Sequence, residues 1–177
     1  MPALNFSFCE SVKDIRTNIK RMLKDPVVYR WWFPSIPECL GKAGLDMDKI
    51  EQRVIKGKIY NALYVGIGIS CQQRFKWHIM QHHTTSCVKY GTLSTLRQTL
   101  SAVFDIDMSK SEEVVNEVMD TCYLEWALFH GKSKKDLEVI ESALLDDGYY
   151  PLNIQKNRNI PNSWRIELCR LRKIHKV

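Results

Sequence analysis

The run Leu63-Tyr64-Val65-Gly66-Ile67-Gly68 constrains this chain more than any other. It begins as an apolar segment rich in aromatic and β-branched residues and breaks at two glycines. It then continues through Gln73-Arg74-Phe75-Lys76-Trp77-His78, which reads as a helix. A strand therefore hands over to a helix. Glycines at such a junction let a ligand backbone come close. Arg74 and His78 stand four apart and so share a helix face. A phenol, a guanidinium and an imidazole converge. Alone, these residues would equally describe a half-buried strand tyrosine, a turn and a solvated Arg/His pair, so the rest of the chain has to decide.

With 177 residues, 45% hydrophobic and 26% charged, the chain can close a core of its own and is not composed like a disordered segment. The segment Met1 to Glu10 lacks the basic and apolar regions of a signal peptide, and no apolar run approaches a membrane span. The expectation is a soluble cytoplasmic protein with no membrane partner. Six scattered cysteines without a C-x-x-C pair spell neither a disulfide framework nor a zinc knuckle, and they read as reduced thiols. His78, His82, His83 and Cys87 raise a metal site, but His78-x-x-x-His82 lacks the glutamate of the zinc-protease motif.

Net charge is +6, and it is unevenly placed. Residues 1–104 hold fifteen Lys/Arg against seven Asp/Glu, residues 105–147 four against twelve, and residues 156–177 seven against one. One basic and one acidic surface would suit a polyanion held on one side.

Ser11-x-x-Asp14 opens a first helix, with Val12, Ile15, Ile19, Met22 and Leu23 at helical spacing, ending before Pro26. Pro26 to Pro34 encloses a strongly strand-forming run. A looser stretch follows, with a short helix around Leu45 to Glu51. Arg53 to Ile59 alternates like a strand, Lys56-Gly57-Lys58 looks like a turn, and Ala62 to Ile67 is the second central strand. Thr84-Thr85-Ser86 reads as a polar loop. Thr92 or Ser94 caps a helix bearing Leu93, Leu96, Leu100, Val103 and Phe104, and Ser109 or Ser111 opens an acidic helix through Met119. Cys122 to Phe129 is a third strand, and Ser163 to Val177 a basic helix with Trp164, Leu168, Leu171 and Ile174 inward.

The helix expected over Lys134 to Asp147 is the most informative. At about 100° per residue, Glu141 falls between Leu137, Leu144 and Leu145. A carboxylate on a core-facing stripe is almost always paired or bound to a metal.

In this order the residues resemble the GIY-YIG nuclease superfamily over most of the chain. Val27-Val28-Tyr29 is similar to the first motif and Tyr64-Val65-Gly66 to the second. Arg74 stands where the family has its arginine, and His78 follows in the Arg-x-x-x-His spacing of restriction-type members. Glu141 matches the metal-binding glutamate, and Pro151-Leu152-Asn153 the closing motif with its asparagine. Two departures stand out. Tyr29 and Tyr64 lie 35 residues apart where the family has a short hairpin, so an insertion at about 35–56 must fit between the strands, and Val27 replaces the first glycine. Tyr60, four residues before Tyr64, is a rival for the first tyrosine.

The resemblance implies an α/β fold, a small, mostly antiparallel sheet of about three to five strands flanked by helices, with the whole chain forming one nuclease domain. It implies a metal-dependent endonuclease acting on DNA in preference to RNA, with Mg²⁺ or another divalent ion such as Mn²⁺ held by Glu141. Arg74 would stabilise the phosphoryl charge, Tyr29, or Tyr64 with His78, would deprotonate water, and Asn153 would position. Lys76, Arg165, Arg172 and Lys173 are the candidate DNA contacts. A compact stand-alone enzyme, dimerising to cut two strands, is a further expectation. The alternative is a non-catalytic nucleic-acid-binding module on the same fold.

Overall fold

The computed structural model describes residues 4–176. The ends of the expected N-terminal and C-terminal segments, residues 1–3 and Val177, lie outside them.

Five strands form one sheet: β1 (Phe8–Ser11), β2 (Val27–Phe33), β3 (Gln52–Ile55), β4 (Lys58–Gly68) and β5 (Tyr123–Leu128). Their order is β1-β5-β2-β4-β3, and every neighbouring pair is antiparallel. The α/β expectation holds, with five strands. Helices α1 (Val12–Thr17), α2 (Glu38–Lys42), α3 (Cys71–Met80), α4 (Thr85–Lys89), α5 (Thr95–Val103), α6 (Glu112–Asp120), α7 (Lys134–Asp147) and α8 (Asn162–Ile174) surround it.

Local chemistry sets the boundaries. Ser11 caps α1 by accepting the Asp14 N–H, Ser94 caps α5, and Ser133 with Asp136 forms a capping box on α7. Lys56 and Gly57 both take positive φ in the β3–β4 hairpin, the conformation that a tight turn between right-twisted strands requires.

Between β2 and β4 the chain makes α2, a short 3₁₀ turn at Met47–Lys49 and β3, yet β2 and β4 still pair directly, Tyr29 opposite Gly66 and Trp31 opposite Tyr64. The long separation of the two tyrosines is thus absorbed at the sheet edge. Trp32 pairs with Ala62, which leaves Leu63 as an extra residue in β4. Such a bulge reverses the alternation of faces. Tyr60 and Ala62 consequently pack on one face with Trp32, while Tyr64 joins Tyr29 and Trp31 on the other. Tyr60 stacks edge-on against Tyr123, away from Tyr29, and is no rival for the first tyrosine.

The Tyr29 face carries the main core, with Ile15 of α1, Phe75 and Ile79 of α3, Leu96 and Leu100 of α5, Met119 of α6 and Leu168 of α8. Helix α7 lies against β4 and β2, and its Leu145 packs with Trp32, Val65 and Tyr150.

Three local readings need correction. Thr84-Thr85-Ser86 is no open loop: Thr84 caps the short α4. Strand β1 pairs at the sheet edge within a segment that reads as the lead-in to a helix. Ile174, expected inward, is 48% exposed, because α8 closes on α5 and its last turn extends beyond the core.

Candidate active site

Tyr29, on the central strand, is fully buried, and its hydroxyl is the meeting point of the site. Arg74 Nε donates to the Tyr29 hydroxyl oxygen at 2.9 Å, and His78 Nε2 lies 2.7 Å from it. Both side chains come from one face of α3, which starts directly after β4. Gly66 makes room: a Cβ there would stand 2.5 Å from the Tyr29 hydroxyl. Gly68 does the same for Arg74, whose Cβ would lie 2.7 Å from an added methyl. The two glycines of the junction are therefore required by packing.

Two arginines hold the far end of α3. Arg97, fully buried on α5, donates to the carbonyls of His78 and Ile79 at 2.5 and 2.7 Å, and Arg16 of α1 also donates to Ile79 O. Orphan carbonyls at a helix C-terminus and its negative dipole end suit guanidinium groups. Burial, with Arg16 nearby, lowers Arg97 to about 10. Sequence reasoning missed this residue, because an arginine between Leu96 and Leu100 reads as an edge position.

Tyr64 is buried beside His78, their rings 6.2 Å apart, and its hydroxyl has no hydrogen bond among the described residues. Burial raises its pKa strongly, with Tyr29 adding to the effect. Burial also raises Tyr29, against the charge and hydrogen bond of Arg74. His78 is held well below its usual pKa by burial and by Arg74 and Arg97. At neutral pH this favours the uncharged imidazole.

Glu141, on α7, is half-buried, and its carboxylate has neither a hydrogen bond nor an ion pair among the described residues. Burial raises its carboxyl, while Lys156, Arg74 and Lys134 pull the other way and Glu138 adds to the rise. Its charge also acts on Tyr29 and Tyr64. A partly desolvated, unpaired carboxylate near three cations fits a hard divalent ion that takes one carboxylate, waters and a substrate phosphate. It does not suit an ion caged by protein alone, since the described residues gather no group of three or more His, Cys, Asp or Glu.

Asn153 bonds the backbone of β4 in both directions: its Oδ1 accepts the Val65 N–H at 2.9 Å and its Nδ2 donates to Val65 O at 2.8 Å. Leu152 N–H donates to Leu63 O beside it. The segment leaving α7 is thus laid along β4 next to Tyr64, with both polar atoms of the Asn153 side chain bonded to the β4 backbone.

Next to this cluster opens a cleft of about 430 Å³, lined by Ile67, Gly68, Arg74, Trp77, Lys134 and Leu137. Arg74 stacks over Trp77 at 4.8 Å, and its terminal nitrogens have no partner among the described residues. Of the expected DNA contacts, Lys76 and Lys173 are exposed on α3 and α8. Arg172 is half-buried, donates to Gln98, and its charge reaches Tyr64. Arg165 is also half-buried, its Nε without a partner. Lys134 and Lys156, which share the site with Glu141, gave no sign in the sequence. His82 and His83 turn away from His78, to Glu112 and to Met108 O and Arg97.

A strand tyrosine, a helix arginine and histidine over a glycine junction, and a carboxylate on a later helix occupy the places on the sheet that the GIY-YIG resemblance implies. The family of the GIY-YIG catalytic domain matches residues 27–174, and the chain belongs to it. No curated protein and no solved structure matches the chain. Among the described residues no helix is long and apolar enough to cross a membrane.

Proposed function

We propose that this chain is a single-domain endonuclease hydrolysing phosphodiester bonds in DNA with the help of a divalent ion, Mg²⁺ or Mn²⁺. The observation that supports it most is the pairing of Arg74 and His78 on one phenol, with the charge of the unpaired Glu141 carboxylate acting on Arg74 and Tyr29. Glu141 would hold the ion, which supplies positive charge to the phosphoryl oxygens and a more acidic water.

The protein's own groups do the rest. Nε of Arg74 is committed to Tyr29, and its free terminal nitrogens offer a fork to two phosphate oxygens. Tyr29, or Tyr64 with His78, orients and deprotonates the attacking water. Asn153 and Arg97 keep β4 and α3 in place. The basic side chains of Lys76, Lys173, Arg165 and Arg172 grip the DNA backbone, and a second copy of the chain would serve the second strand.

Incubation with supercoiled plasmid tests this. Nicking or linearisation in Mg²⁺ that EDTA abolishes is expected. Salt-sensitive DNA binding without cleavage across several divalent ions would instead make the chain a binding module.

A further inference from the structure

Behind Tyr29 the hydrogen bonds continue inward. His78 Nδ1 lies 3.1 Å from Ser94 Oγ, and Ser94 is fully buried. That oxygen already accepts the Arg97 backbone N–H at 3.3 Å as the N-cap of α5. A neutral imidazole offers one N–H and one lone pair, so two arrangements exist. With the proton on Nδ1, His78 donates to Ser94, Tyr29 donates to Nε2, and the Ser94 proton has no acceptor among the described residues. With the proton on Nε2, Ser94 donates to Nδ1, His78 donates to Tyr29, and the Tyr29 proton is left over.

The uncharged chain therefore has one proton more than it has acceptors, and a buried unmade donor is costly. Of the two hydroxyls only the phenol can lose its proton in an accessible pH range. Tyr29 lies against Arg74, which lines the cleft, whereas Ser94 is closed between α3 and α5. Once Tyr29 has lost its proton the count closes: Ser94 O–H, His78 Nε2–H and Arg74 Nε–H each meet an acceptor. Two of the three bonds end on the phenolate oxygen, opposing the burial that otherwise keeps Tyr29 protonated.

We propose that Ser94 is a positioning residue that fixes His78 as the Nε2–H tautomer, making His78 a standing donor and leaving Tyr29 to take the proton of the attacking water. In that step the water O–H bond breaks and its proton passes to the Tyr29 oxygen. The hydroxide forms a bond to phosphorus as the bond to the leaving oxygen breaks, and the leaving oxygen takes a proton from solvent. The catalytic half of this rests on the nuclease reading; the tautomer does not.

Long-range ¹H–¹⁵N spectra of the imidazole nitrogens of the full chain at neutral pH, assigned with His78→Gln, read the tautomer without any cleavage. A neutral His78 protonated at Nε2 is expected, retained in Ser94→Thr and no longer fixed in Ser94→Ala. Plasmid nicking by Ser94→Ala should be about tenfold slower in kcat with KM little changed, and Ser94→Thr should restore it. Because Ser94 also caps α5, thermal midpoints of both variants separate lost folding from lost positioning. Wild-type His78 protonated at Nδ1 overturns the proposal, as does a Ser94→Ala protein with wild-type tautomer and rate. A wild type that never cleaves contradicts the nuclease reading instead, and the spectra still decide the role of Ser94.

Discussion

Tyr29 and Gly66 face each other across the β2–β4 ladder, and the phenol occupies the space a side chain at position 66 would need. A methyl there would stand 2.5 Å from the hydroxyl and 2.7 Å from Cζ, both far inside van der Waals contact. Gly66→Ala should therefore push Tyr29 off Arg74 and His78, costing about 1–3 kcal/mol of stability and most of the cleavage rate. Chemical denaturation alongside plasmid nicking checks it, and an unchanged rate would show that the placement of Tyr29 is not needed.

Asn153 closes two hydrogen bonds on one buried residue of β4. Asn153→Ala would leave the Val65 N–H and C=O unpaired, at a cost of about 2–4 kcal/mol. Because Asn153 acts on the backbone, the loss should appear in the urea midpoint as well as in activity. An Asn153→Ala protein of wild-type stability but without activity would point to direct contact with substrate.

Glu141 should behave in the opposite way. Its folded pKa is raised by burial, so the folded state binds its proton more tightly than the unfolded chain does. The charged form thus costs stability, increasingly as pH rises from about 4.5 through the folded value. At neutral pH, Glu141→Gln should melt at or above the wild-type temperature. Millimolar Mg²⁺ should raise the wild-type midpoint and leave that of the variant unmoved, since a ligand stabilises only the state that binds it. Equal Mg²⁺ shifts in both proteins would remove Glu141 from the metal site.

Acid should weaken the fold through His78. Its folded pKa is depressed well below 6.5, so below about pH 6.5 the unfolded chain takes up a proton that the folded protein refuses. This contribution is complete above the ordinary histidine pKa and is lost as pH falls toward the folded value. Urea midpoints measured from pH 7.5 down to 5 should fall, and the slope should flatten in His78→Gln. An equal slope in both proteins would mean that His78 is charged or exposed.

Much of this was legible in the sequence because it is local. The strand at Val27–Phe33, the strand-to-helix junction at Gly68 and the capped helix at Lys134 are set by patterning over about ten residues. Glu141 stood out because one carboxylate broke an apolar stripe. What escaped was what depends on another element. The bulge at Leu63 decides that Tyr64, not Tyr60, faces Tyr29, and its partner strand lies about thirty residues away. Ser94 could be seen as a helix cap but not as the neighbour of His78, and nothing local to Arg97 shows that its guanidinium meets the end of α3.

The most direct test of the site as a phosphodiesterase centre is single-turnover cleavage of plasmid DNA in Mg²⁺ by the wild type, Arg74→Ala and Glu141→Gln at matched binding. The wild type should nick the DNA, Arg74→Ala should be slower by about 10²–10³-fold as a lost stabiliser of transition-state charge, and Glu141→Gln should be inactive while still binding. Cleavage by both variants at the wild-type rate would contradict the assignment.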